Sequence, residues 1–253
     1  MSRLSSLPSS LQRSLMERRL LKVIAGLTNF DAVAVERIAR AAAAGGADLI
    51  DIACDPALVA RVAAAAPGLP ICVSAVDPEL FPPAVAAGAT LVEIGNFDAF
   101  YPLGRVFGAE EVLALTRRTR SLLPAVTLSV TVPHVLPLDA QEQLAADLEA
   151  AGADLIQTEG GTSARPVSAG SLGLIEKAAP TLAAAHTISR AVSAPVLCAS
   201  GLSSVTVPMA IAAGAAGVGV GSAINKLGDE LAMVAVRSEE HTSELQSHSD
   251  LVC

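Results

Sequence analysis

Tryptophan is absent from this 253-residue chain, and aromatic residues supply only 2% of it. That scarcity argues against the base-stacking surface that single-stranded nucleic-acid binders use. A net charge of −8 argues further against nucleic acid or an anionic membrane surface as a partner. Long apolar runs are missing too. Hydrophobic residues make up 52% of the chain, but Gly and charge interrupt the Ala-rich stretches before they reach the roughly 18 residues of a membrane span. Cys54, Cys72 and Cys198 have neither paired nor metal-type spacing and read as reduced, mostly buried thiols. There is no metal-ligand cluster and no informative Ser–His–Asp spacing, so no metal is expected. Residues 1–15 lack the apolar core of a signal peptide. Residues 1–19 are expected to be a short leader helix on a protein of a cyanobacterial cytoplasm or a plastid stroma.

The Ala/Val/Gly background ends abruptly at Arg237. Residues 237–253 resemble the in-frame translation of a short-read sequencing adapter, matching on both sides of its variable index, and are expected to be non-native. Setting them aside removes one Arg and four acids, taking the charge from −8 to −5, and takes His241, His248 and Cys253 out of any site.

What organises the rest is a repeat. Ala-rich helices closed by Gly run straight into buried strands that end at Ile52, Ile94, Thr158 and Val220. Between them lie apolar strands over 21–26, 71–76, 126–132 and 196–200. Alternating the two sets gives eight strands, each followed by a helix, which is the pattern of a (β/α)₈ TIM barrel over residues 20–236. Helices are expected over 31–44, 56–66, 109–123, 139–151, 174–192 and 203–213. An eighth, over 227–236, would be cut short at the adapter-like junction.

The stretch 195–226 reads as two short strands ending in small residues, Ser200-Gly201 in one and Gly219, Gly221 and Ser222 in the other. Such residues let backbone N–H groups approach a ligand, and a following helix adds its positive end. A phosphate is the natural guest; two tightly packed strand ends without a ligand are the alternative.

On the even strands Asp51, Glu93, Gln157 and Gly219 hold one place in the repeat, and period-two alternation points the carboxylates into the barrel. An interior carboxylate is costly unless paired, hydrogen-bonded or wetted by a site. Lys22 is the candidate partner, either in a structural ion pair or as a lysine whose pKa burial lowers for base or Schiff-base work. Glu159 lies on the same face as Gln157, nearer the rim, and is the foremost general acid/base candidate, with loop capping as its other role. His134 lies at the rim as a proton relay or a loop residue, Ser129 and Thr131 are small interior fillers, and Thr162, Ser163 and Arg165 contact an anion or solvent. The loop over 97–107 gathers Phe97, Phe100, Tyr101 and Phe107, as a cluster tying the loop down, a subunit contact or the wall of a lid.

Seven blocks carry a family resemblance: Lys-Val-Ile-Ala-Gly-Leu-Thr-Asn-Phe-Asp (22–31), Glu-Ile-Gly-Asn-Phe-Asp (93–98), Leu-Ser-Val-Thr-Val-Pro-His (128–134), Gln-Thr-Glu-Gly-Gly-Thr-Ser (157–163), the stretch 173–182, Cys-Ala-Ser-Gly-Leu-Ser (198–203) and Gly-Val-Gly-Val-Gly-Ser-Ala (217–223). Over about 22–226 the chain resembles a cyanobacterial and plastid-encoded family known as a hypothetical chloroplast reading frame. The resemblance implies a TIM barrel from a photosynthetic lineage and no particular reaction. More distantly, the last two strands resemble the phosphate grip of ribulose-phosphate-binding barrels, a fold-level analogy. The expected function is proton-transfer chemistry, of isomerase, lyase or aldol type, on a small phosphorylated metabolite. The alternatives are a non-catalytic sensor of a phosphorylated ligand or nucleotide, and a flavin-binding barrel. No cofactor is otherwise expected, and the oligomeric state is not readable.

Overall fold

Eight parallel strands close on themselves in chain order. They are β1 (Leu20–Gly26), β2 (Leu49–Ala53), β3 (Ile71–Ala75), β4 (Leu91–Ile94), β5 (Thr127–Thr131), β6 (Leu155–Gln157), β7 (Val196–Ala199) and β8 (Gly217–Val220), with β8 returning to pair with β1. In this computed structural model, residues 3–221 are described. The TIM barrel is therefore the fold. The expected helix over 227–236 and the adapter-like tail lie outside the described residues.

The helices are α1 (Ser9–Met16), α2 (Ala32–Ala44), α3 (Pro56–Ala65), α4 (Phe81–Ala86), α5 (Ala109–Leu122), α6 (Leu138–Ala150), α7 (Gly170–Ala191) and α8 (Val207–Ala213). Their starts follow local chemistry. Asp31 accepts the Val33 and Ala34 N–H groups to cap α2, and Asp55 does the same for Leu58 at the head of α3. Two expected boundaries move. Helix α8 begins four residues later than expected, because the Ser203 N–H is taken by Thr206 Oγ1 and 203–206 folds as a turn. Helix α7 begins four residues earlier, behind a loop pinned by the Glu176 carboxylate, which accepts from the N–H groups of Val167 and Ser168 and from Ser168 Oγ. Among the described residues no helix is long and apolar enough to cross a membrane.

Strand alternation divides the side chains into two sets. Val23, Ile50, Ile52, Val73, Val92, Ile94, Leu128, Val130 and Ile156 pack outward into the layer shared with the helices. Inside, the barrel is stratified. Its lower layer is apolar: Leu20, Leu49, Cys72, Leu91, Leu155 and Leu197. The stretch expected to be a leader closes this layer from below. Its Leu7, Leu11 and Leu15 are 4%, 1% and 6% exposed against that cluster, each such burial being worth roughly 1.5–3 kcal/mol. Ser14 Oγ donates to Asp48 Oδ1 at 2.7 Å, while Asp48 Oδ2 accepts the Leu21 N–H, tying the helix to the start of β1. The first helix is thus the floor of the barrel.

Candidate active site

Above the apolar floor the interior turns polar. Lys22 Nζ lies 2.7 Å from Glu93 Oε2 and 3.5 Å from Asp51 Oδ2, with all three side chains no more than 1% exposed. Ser74 Oγ donates to Asp51 Oδ1 at 2.5 Å, Ser129 Oγ to Glu93 Oε2 at 2.7 Å, and Gln157 Nε2 to Glu93 Oε1 at 2.7 Å. Asn96, which follows β4 in a left-handed conformation (φ 61°), closes the layer from above. Its amide donates to Asp51, Ser74 and Glu93 at 3.2–3.4 Å.

The electrostatics of this layer depart from one sequence expectation. Burial by itself pulls the Lys22 pKa down, but the charges of Glu93 and Asp51 outweigh it and hold the ammonium above its ordinary value. A lysine poised as a base or Schiff-base nucleophile needs the opposite shift. Burial raises Asp51, Lys22 pulls it back and Glu93 pushes it up again, leaving that carboxyl raised to about 6.

A second constellation stands at the C-terminal rim, where barrel enzymes place their sites. Glu159, just beyond β6, is 3% exposed. Its Oε1 accepts the Tyr101 hydroxyl at 2.5 Å and the His134 N–H at 3.2 Å, and lies 3.1 Å from His134 Nδ1. Its Oε2 accepts the Asp98 N–H at 3.2 Å. Asp98 Oδ1 lies 3.5 Å from the same His134 nitrogen, and Asp98 Oδ2 accepts the Ser200 hydroxyl at 2.8 Å. Burial raises the Glu159 pKa against the hydrogen bonds from His134 and Tyr101. Burial lowers that of His134, but the Glu159 hydrogen bond and the charges of Glu159 and Asp98 override it, so the imidazole titrates above its ordinary value. Glu159 and Asp98 thus flank the same His134 nitrogen, which is hydrogen-bonded to Glu159 and lies 3.5 Å from Asp98.

The aromatic loop holds Asp98 and Tyr101 in place. Phe97 and Phe107 are 0% and 2% exposed, with ring centroids 4.5 Å apart. Phe100 meets Phe107 edge-on at 5.5 Å, and the Arg105 guanidinium covers that ring. Of the readings open from sequence, the cluster that ties the loop down is the one seen.

Beside this chain of groups opens a cavity of about 370 Å³, within the range of small-molecule sites. Gly26 at the end of β1 with Leu27 and Thr28 beyond it, Asn96, Asp98 and Ala99 after β4, Thr162 after β6, Ser200 to Leu202 after β7, and Gly219 to Gly221 at the end of β8 line it. Glycine is required at the join of the β6 and β7 loops. A Cβ on Gly161 would fall 2.4 Å from Gly201 Cα, and Gly201 itself has φ +77°. The Thr162 N–H donates to Ser200 Oγ at 3.1 Å. Among the described residues the N–H groups of Gly201 and Leu202 find no protein acceptor.

Ser200, Gly201, Gly219 and Gly221 thus come together around the cavity, while Ser222 lies outside the described residues. Lys22, Asp51, Glu93 and Gln157 also come together, but in the layer below the cavity and not on its wall. Glu159 stands behind Asp98, and Arg165 turns back onto the carbonyls of Ser163 and Ala164. The sequence reading passed over Asn96 and Asp98. Both sit in the quoted block Glu-Ile-Gly-Asn-Phe-Asp at the end of a barrel strand, a position that by itself marks site residues in this fold.

A family model described as "Protein of unknown function (DUF561)" matches residues 6–249, running past Val236 into the adapter-like stretch. "Uncharacterized protein ycf23" of Cyanophora paradoxa is 46% identical over 228 residues, 90% of this chain and 93% of its own length. The protein of the same name from Porphyra purpurea is 36% identical over 244 residues, 96% of this chain and 92% of its own. Among solved structures, a 3-hexulose-6-phosphate synthase superposes with a TM-score of 0.62 at 19% identity, covering 88% of this chain and 99% of its own. The tryptophan synthase alpha subunit of Legionella pneumophila gives 0.63 at 13%, covering 97% and 99%. The (S)-3-O-geranylgeranylglyceryl phosphate synthase of Thermoplasma acidophilum, solved with its substrate sn-glycerol-1-phosphate, gives 0.56 at 14%, covering 92% and 97%. At such identities these likenesses establish the barrel fold.

Proposed function

The chain belongs to the DUF561 family of proteins, and from that premise we propose that it is an enzyme that binds a small phosphorylated metabolite at the C-terminal face of its barrel. Its chemistry is proton transfer, of isomerase, lyase or aldol type. The observation that carries this reading is the position of the cavity: it opens where the small residues ending β7 and β8 converge. The Gly201 and Leu202 N–H groups there have no acceptor among the described residues. Backbone donors at a close-approach position are suited to phosphate oxygens. Neighbours of the same fold whose names or bound substrates include a phosphate ester support the reading.

Proton handling falls to the chain of Asp98, His134 and Glu159. Asp98 reaches the cavity wall, and Glu159 holds His134 in place from behind. Lys22, Asp51, Glu93 and Gln157 support the site from the layer below through Asn96, which hydrogen-bonds to Asp51, Glu93 and Gln157. No cofactor is called for by this chemistry. We place the protein in a plastid stroma or a cyanobacterial cytoplasm.

A thermal-shift screen of inorganic phosphate, sugar phosphates and nucleotides tests the site. A ligand at a hundred times its Kd adds about 2.7 kcal/mol of stability. For a domain of this size that is roughly 5–10 °C in Tm. Ala99→Glu places a carboxylate in the cavity wall and is expected to abolish the shift. No shift with any phosphorylated compound overturns the reading.

A further inference from the structure

We infer that the metabolite carries a cationic nitrogen as well as its phosphate, and that Asp98 receives it. This rests on the phosphate reading above and specifies the other end of the same ligand.

The inference follows from the charge on the cavity wall. Among the described residues that line it, Asp98 is the only one with an ionisable side chain, and no Lys, Arg or His is among them. A phosphate held there by backbone N–H groups and hydroxyls would share a cavity of about 370 Å³ with a carboxylate and, among the described residues, with no lining cation to offset either charge. The two lie close, because the Ser200 hydroxyl in the proposed phosphate grip donates directly to Asp98 Oδ2 at 2.8 Å. Charges at such separations, away from bulk water, repel strongly. A ligand bearing only negative charge is therefore a poor guest.

The hydrogen bonding of Asp98 points the same way. A carboxylate has capacity for about four donors. Here Oδ2 takes one, from Ser200. Oδ1 takes no hydrogen bond although it is buried, since the His134 Nδ1 that lies 3.5 Å from it is nearer to Glu159, at 3.1 Å. Asp98 is thus a charged acceptor with few donors, its side chain 13% exposed on the wall of the cavity. An ammonium or protonated ring nitrogen in the cavity supplies positive charge beside this carboxylate and a further donor to Oδ2, which takes only the Ser200 hydroxyl. The cavity then holds a zwitterionic ligand, with phosphate toward β7 and β8 and the cation toward the loop after β4.

Calorimetric titration with matched pairs decides the point. O-phosphoethanolamine is compared with 2-hydroxyethyl phosphate, and glucosamine phosphate with glucose phosphate, with inorganic phosphate as the baseline. The amine ester of each pair is expected to bind about tenfold or more tighter than its hydroxyl partner. In Asp98→Asn that preference is expected to vanish, the amine and hydroxyl esters of each pair binding alike. Equal binding of amine and hydroxyl esters by the natural protein overturns this inference and leaves the phosphate reading standing. Retention of the preference in Asp98→Asn overturns the assignment to Asp98. Failure of phosphate and of every ester to bind overturns both readings. If Asp98→Asn does not fold, the matched pairs measured on the natural protein still decide whether the cation is required.

Discussion

Replacing Lys22 by Met removes a cation from a layer that holds two carboxylates, the one cation there among the described residues. Met has nearly the length and volume of the lysine stem, so packing changes little and the loss is chiefly electrostatic. Lys22 lies 2.7 Å from Glu93 and 3.5 Å from Asp51, and all three are at most 1% exposed. Breaking a buried pair by removing one partner typically costs about 3–5 kcal/mol, because the other charge is left without compensation. In a domain of this size that is roughly 6–20 °C in Tm. The penalty depends on pH with a definite sign. Asp51 is already raised to about 6 in the folded protein, above its ordinary 3.8. The stability linked to its proton is therefore full below about 4 and is lost as the pH rises through about 6. Without the pull of Lys22 the Asp51 carboxyl rises further, so Lys22→Met should be most destabilised near pH 8 and recover toward pH 5, where it takes up protons. Urea unfolding followed by circular dichroism at both values measures this. The triple variant Lys22→Met, Asp51→Asn, Glu93→Gln, which empties the layer of charge, should regain most of the stability. A single variant within about 1 kcal/mol of the natural protein at pH 8, or one more stable there than at pH 5, refutes the reasoning.

Three further outcomes are expected. Leu11→Ala opens a hole in the barrel floor, where Leu11 is 1% exposed, and should cost about 2–5 kcal/mol in urea unfolding while leaving the affinity of the folded protein for phosphate esters unchanged. Gly161→Ala puts a methyl 2.4 Å from Gly201 Cα and from the Ser200 carbonyl. It should push the β6 and β7 loops apart and at least halve the phosphate-induced thermal shift; an unaltered shift shows that this contact does not shape the site. Glu159→Gln removes the hydrogen bond and charge that raise His134, so the imidazole titration followed by NMR should move to lower pH. Once a substrate is in hand, the same variant should lose roughly 10²–10⁴-fold in turnover, and undiminished turnover removes Glu159 from the proton chain.

Several of these residues are legible in the sequence for a physical reason. Asp51, Glu93, Gln157 and Gly219 share a place in the repeat, and strand alternation assigns them a common face whatever surrounds them. Ser200 and Gly201 stand out because small residues at a strand end serve close backbone approach. Asp98 had no such pattern. It lies in a short 3₁₀ turn, Phe97–Ala99, where no period reports direction, and its importance comes from Ser200, 102 residues away. The sign of the Lys22 shift was equally hidden. Burial and nearby carboxylates push a lysine in opposite directions, and only the distances to Glu93 and Asp51 decide between them. Where the first helix packs was hidden for a related reason. Leu7, Leu11 and Leu15 recur at helical spacing, but nothing local says which apolar surface they cover.

The amino-acid sequence by itself determined the eightfold alternation of strand and helix, the inward face of the even strands and the two small-residue strand ends. These depend on period and residue size, which are local properties. The tertiary structure alone decided that the N-terminal helix floors the barrel and that Asn96 joins the buried ion layer to the cavity. It also decided that Asp98 stands on the cavity wall with Glu159 and His134 behind it. These depend on closure of the barrel, which sets residues far apart in sequence within hydrogen-bonding distance.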